Sequence, residues 1–187
     1  MKHFVFNIQK FGPVLSALID PEKLNDLGPG NPDNYIKMKL DSNDPETCFK
    51  HTNIADQQAA RACLAGLWLH HDLLDESHKI SQAIDTPSGS FWHGIMHRRE
   101  GDYWNSKYWF RKVGGHPALV TLDEEIKKID TQNKLIHASW DPFKFVDLCE
   151  SAIGTGSELE SLCKQIQKLE WQILFDYCYK QATGSWD

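Results

Sequence analysis

Phe91-Trp92-His93-Gly94-Ile95-Met96-His97-Arg98-Arg99-Glu100 ends on Gly101, and Asp102-Tyr103-Trp104 follows at once. At 100° per residue, Phe91, Ile95, Trp92 and Met96 share one arc of a helix, and glycine is the commonest residue just past a helix end. The spacing predicts a helix over about Ser90–Glu100. Asp102 then caps a second helix that stops before Gly114-Gly115-His116-Pro117.

Outward from this pair the pattern stays helical. Upstream, Asp85-Thr86-Pro87-Ser88-Gly89 reads as a turn, and Ile54–Ala83 reads as one long helix that Asn53 can cap. Downstream, Thr121 and Glu124 have capping-box spacing for a short helix through Ile129, and Asp141-Pro142 reads as cap plus first residue for Phe143–Ile153. Ser157 and Glu160 repeat the capping box and open a last helix to about Tyr179, with one apolar stripe including Leu162, Ile166, Leu169 and Ile173. The first fifty residues are broken by Gly12-Pro13, Asp20-Pro21, Gly28-Pro29-Gly30 and Asn31-Pro32. They are expected to hold a short helix near Pro13–Ile19 and one extended piece at Tyr35–Leu40. The expectation is an all-α chain, a compact bundle of about six or seven helices. Residues 1–52 would form an irregular wrapping segment around a helical core at 53–187, all in one domain.

Composition limits the functions. The 187 residues carry 41% hydrophobic and 25% charged side chains, an ordinary globular balance. Apolar runs are far shorter than the roughly 20 residues a membrane span needs, and Met1–Phe6 is followed too soon by polar residues to make a signal-peptide core. A net charge of −6 argues against a general nucleic-acid binder. Cys48, Cys63, Cys149, Cys163 and Cys178 form no C-x-x-C pair and are odd in number, which fits free thiols in a cytoplasmic protein better than a disulfide or zinc framework.

The chemistry-bearing residues sit where apolar ones belong. Taking Cys63 as 0° on a continuous helix, His71, Asp75 and His78 fall at about 80°, 120° and 60°, inside the arc of Leu64, Leu67 and Trp68. Asp72 and Glu76 fall on the opposite side. On the next helix His93, His97 and Glu100 form a second row, with Arg99 inside the apolar arc. Three readings stand. His93 and His97, at i and i+4, bind a divalent transition metal, with Glu100 and one of His71, Asp75 or His78 completing the sphere. Or a metal-free site uses His71, Asp75, His78 and Glu100 as acid/base groups. Or the polar row is a buried network that only fixes helix packing, in a non-catalytic interaction module. In the first two, Arg98, Arg99, Tyr103, Lys107, Tyr108 and Arg111 would hold a small anionic or aromatic ligand by charge and stacking.

The run Phe91–Glu100, then Asp102-Tyr103, Asn105 and Lys107-Tyr108-Trp109-Phe110-Arg111, together with Trp68–His78 and Leu27–Gly30, resembles the signature of a small uncharacterised family of helical proteins. That resemblance covers about a third of the chain and implies a helical fold without implying an activity. A shorter likeness is His71-Asp72, the dipeptide that marks HD-type metal phosphohydrolases. It would need further ligands, for which His51 and Asp147 are the candidates, and the wheel turns Asp72 away from the row.

Overall fold

A computed structural model describes residues 3–32, 34–129 and 140–186. Among these residues there are ten α-helices and no strands, after a 3-10 turn at Ile8–Phe11. The helices are α1 (Gly12–Leu18), α2 (Asn34–Asp41), α3 (Pro45–Cys48), α4 (Gln57–His70) and α5 (Leu74–Ser81). They continue with α6 (Pro87–Glu100), α7 (Tyr103–Val113), α8 (Pro117–Ile129), α9 (Pro142–Ala152) and α10 (Glu158–Thr183). The all-α class holds, with more helices than the six or seven expected, because the early segment adds α2 and α3 to the one short helix expected there and the helix expected over Ile54–Ala83 is split into α4 and α5. Tyr35–Leu40, expected as an extended piece, lies within α2. No described helix is long and apolar enough to cross a membrane.

Caps explain most boundaries. The Asp56 carboxylate accepts the Ala59 amide at 3.0 Å and starts α4, three residues later than an Asn53 cap would. Thr86 starts α6, with Pro87 at its first position, and Asp102, Asp141 and Ser157 start α7, α9 and α10. The helix of Thr121 begins earlier than its capping-box spacing suggests, at Pro117, so Thr121 lies inside α8.

The largest departure is at Asp72. The expected helix from Ile54 to Ala83 breaks there, because Asp72 takes a left-handed backbone with φ 64°. Its amide donates to Leu69 O (3.2 Å) and the Leu73 amide donates to Trp68 O (3.0 Å), the paired bonds of a Schellman ending. A left-handed non-glycine residue costs roughly 1–2 kcal/mol. What holds it is the carboxylate, which accepts from Arg99 Nη2 (2.6 Å), Asn25 Nδ2 (2.7 Å) and Lys23 Nζ (3.1 Å). Burial pushes this carboxyl upward, and Arg99, Asn25 and Lys23 together outweigh it and keep it below the usual carboxylate range.

The break resets the register of everything after it. Asp72, expected on the solvent side, is buried; Asp75, expected inside, is exposed; and Ser77 is the residue turned inward, donating to Ala65 O at 2.9 Å. A wheel drawn through residue 72 cannot carry Asp75 into the core.

α6 is central, with twelve of its fourteen residues buried. It crosses α4 at Gly66, where an added Cβ would stand 2.7 Å from the Trp92 ring, and Trp171 of α10 donates to Gly66 O at 2.8 Å. Three helices therefore meet where one side chain is missing. At the far end of α6, Arg98 is fully buried and makes a two-pronged pair with Glu170 of α10, with Nη1 to Oε1 at 3.2 Å. Arg99 donates to Asp72 and also to Leu69 O (2.8 Å), Gly28 O (3.1 Å) and Pro29 O (3.3 Å).

Removing the charge of Asp72 leaves Arg99 buried without its anion. Asp72→Asn, which keeps the left-handed preference, is expected to lower unfolding free energy by about 3–5 kcal/mol. Asp75→Asn should stay within about 0.5 kcal/mol of wild type. Urea titration of both variants checks this; equal effects would refute it.

Two histidines belong to the packing. His70 Nε2 accepts the Asp20 amide (3.2 Å), and His116 Nδ1 accepts the Ala118 amide (3.1 Å) while its other nitrogen meets Ser88 Oγ (3.0 Å). Burial, with smaller contributions from His71 and Lys23, pushes His70 down to about 3, and burial pushes His116 down to about 4. Both lie below the ordinary 6.5, so the unfolded chain takes up these protons first. Their stabilisation is complete above about pH 6.5 and is lost as the pH falls toward 4 and then 3. Unfolding free energy should fall by about 3 kcal/mol or more between pH 7 and pH 4. Denaturant titrations across that range test it, and a flat profile would contradict it.

Candidate metal centre

Three imidazoles converge where α5, α6 and α7 meet. His93 and His97 project from the same face of α6 because they are four residues apart. His78 reaches them from the last turn of α5. One ligand nitrogen from each lies within 4.8 Å of the others. The ring centroids of His93 are 4.6 Å from those of His78 and His97, and His78 and His97 are 5.3 Å apart. His93 and His97 are buried and His78 is half-buried, so one side of the group meets solvent.

Hydrogen bonds assign the free lone pairs. With its one proton on His78 O (3.3 Å), Ser81 Oγ accepts from His93 Nδ1 at 3.2 Å. That leaves His93 Nε2 with the lone pair. The Glu100 carboxylate, an acceptor only, lies 2.6 Å from His97 Nδ1, which therefore carries the proton. His97 Nε2 then holds the lone pair, which accepts from Asn105 Nδ2 at 3.0 Å, so an ion bound there would take the place of that hydrogen bond. Outer nitrogens braced by a hydroxyl and a carboxylate are the arrangement that orients imidazoles as metal ligands. Burial pushes His93 down to about 3, and the neighbouring His97, His78 and Lys112 add to it. His93 is therefore neutral across the physiological range, the form that a metal ligand needs.

A tetrahedral ion with bonds of about 2.0–2.1 Å places its donor nitrogens roughly 3.3 Å apart. The ligand nitrogens here lie within 4.8 Å of one another, so binding an ion would draw the three rings together. His97, Glu100 and Asp102 also have ligand atoms within 4.8 Å of one another, which sets carboxylates at the rim.

A cleft of about 470 Å³ runs beside α5 between α2 and the Pro29–Pro32 turn, lined by Asn34, Lys37, Asp75, Glu76 and Glu100 among others. Two of its lining residues stand three positions from the histidines: Asp75 before His78, and Glu100 after His97. Its volume is that of a small-molecule site.

Among the predicted site residues the structure brings together His78, His93, His97 and Glu100. His71 stands apart at the α4 end, with Nε2 2.7 Å from Leu18 O and its ring against His70. Asp75 is an exposed residue of the cleft and not a buried partner of the imidazoles. The expected anion-binding set does not assemble either. Arg98 and Arg99 are buried and held by Glu170 and Asp72, and Lys107 is paired with Asp147. Arg111 is exposed, 6.0 Å from the Phe143 ring, and Tyr103 is half-buried against the core. Tyr108 alone of that set presents an open aromatic face, 39% exposed. The HD-type ligand set is dispersed too: His51 bonds Tyr179 OH (2.9 Å), Asp147 bonds Lys107, and Asp72 bonds Arg99.

Sequence reasoning missed Ser81, Asn105 and Trp109, whose ring centroid lies 4.0 Å from that of His93. A signal was present in the spacing. Asn105 and Trp109 repeat on α7 the i, i+4 step of His93 and His97 on α6, and a turn of two residues makes the two helices neighbours. Across protein-family models, curated proteins and solved structures, the chain finds no match.

Proposed function

We propose that the chain binds a divalent transition metal through His78, His93 and His97 and uses it on a small molecule that enters by the neighbouring cleft. The observation that carries this reading is the convergence of the three ligand nitrogens within 4.8 Å, with two of the rings braced from behind. A three-histidine sphere leaves one position open, and an ion in such a site lowers the pKa of bound water toward about 7. Glu100 holds the His97 ring and also lines the cleft, so it links the ligand path to the centre. Imidazole donors favour zinc or a similar ion over calcium or magnesium, which prefer oxygen. A purely structural network accounts less well for three imidazoles whose ligand nitrogens gather within 4.8 Å of one another a few residues from a solvent-connected cleft.

The five cysteines are buried free thiols, which supports a reducing, cytoplasmic setting for the chain. The acidic balance makes nucleic acid an unsuitable partner.

Elemental analysis of protein purified without chelators, then supplemented with zinc, tests the reading. About one ion per chain is expected, with loss of that ion in His93→Ala and His97→Ala. Ser81→Ala and Glu100→Ala, which remove the outer hydrogen bonds, should weaken zinc by roughly 10–100-fold. Wild-type protein with no stoichiometric metal after supplementation with zinc, cobalt, nickel or iron would overturn it.

A further inference from the structure

The outer face of α7 carries an aromatic surface that the fold does not use. Trp104 is 74% exposed, an uncommon setting for so large an apolar side chain. Tyr108, one turn on, has its ring within 10° of parallel to that of Trp104, with centroids 6.3 Å apart. Lys112, one further turn along, places Nζ 4.7 Å from the Tyr108 ring and 4.1 Å from the Trp109 ring. Trp109 meets Tyr108 edge to face and tilts against His93 at 4.0 Å. One continuous surface therefore runs from open solvent at Trp104, under the Lys112 ammonium, to the histidine group.

This surface differs from the other aromatic clusters of the chain. Trp92, Phe91 and Phe110 are buried, and their rings fill the core. Lys107, on the same helix, is held by Asp147, whereas among the described residues no carboxylate pairs with Lys112. The Lys112 charge is spread over two ring faces and stays available to an anion. Parallel open rings offer stacking area to a flat ligand, and an unpaired ammonium beside them selects negative charge on it.

We propose that Trp104, Tyr108 and Lys112 form a recognition shelf for a planar aromatic small molecule bearing a phosphate or carboxylate group. The ring would stack on Trp104 and Tyr108 and the anion would face Lys112. The purpose of the shelf, to present that ligand to the histidine centre, rests on the metal reading; the binding itself does not.

Indole and amide NMR shifts of the 15N-labelled chain, with and without zinc, give the test, using phenyl phosphate as probe. Inorganic phosphate supplies the anion without a ring, and benzyl alcohol supplies the ring without an anion. Phenyl phosphate should shift the Trp104 indole in both preparations and bind at least about tenfold more tightly than either control. Trp104→Ala and Lys112→Met, both on the exposed side, should each weaken it by about tenfold or more. Equal binding of inorganic phosphate, equal binding of benzyl alcohol, or variants that bind like wild type would each overturn the shelf. Trp104 shifts that track protein concentration without ligand would do the same, by assigning the face to a second copy. Zinc content measured on the same samples separates the two claims: a chain that takes no zinc but binds phenyl phosphate keeps the shelf and loses the centre.

Discussion

Two adjacent guanidinium groups, both inside the protein, govern the arrangement of the helices. Arg98 and Arg99 are 0% and 2% exposed. A buried charge without a partner costs several kcal/mol, so each must find an anion in its own direction, and neighbours on a helix point 100° apart. Arg98 turns to Glu170 and fastens α6 to α10; Arg99 turns to Asp72 and to the carbonyls of Leu69, Gly28 and Pro29. The carbonyls fix the early loop against the end of α4. With those two directions taken, His97, one residue earlier, is directed toward α5 and α7. The position of the histidine group follows from the arginine pairing.

The same constraint explains what could be read from the sequence. α7, α9 and α10 were legible because their caps lie next to them in the chain: Asp102, Asp141 and Ser157 each bond amides within three residues, whereas α6 starts three residues before the expected Ser90, inside the stretch read as a turn. The break at Asp72 was not, since His70-His71-Asp72-Leu73 contains no glycine or proline to announce it. Its cause is Arg99, 27 residues away, which makes a left-handed aspartate stable. Local pattern carries no trace of such a partner. Once the register slips at residue 72, Asp75 leaves the interior and Asp72 enters it, so the wheel kept His78 beside His93 and His97 and misplaced its neighbours.

Residue type misled in a different way at the arginines. Arginine beside aromatic residues suits an anionic ligand and suits an internal ion pair equally well, and only the position of Glu170, 72 residues further on, decides between them. The aromatics divide likewise: Trp92 is the plug of the α4–α6–α10 crossing, whereas Trp104 lies open on α7. His93 and His97 were legible because i, i+4 spacing is a local property. The residue that joins them was one of three candidates, His71, Asp75 or His78, and the structure brings His78 to the pair.

X-ray absorption at the zinc edge of the zinc-loaded chain is the most direct measurement of the central claim, because it counts and identifies the donor atoms. The account predicts a four-coordinate ion with a first shell near 2.0–2.1 Å and the outer-shell scattering of three imidazole rings. An all-oxygen shell, a sulfur shell near 2.3 Å, or a single imidazole would contradict it.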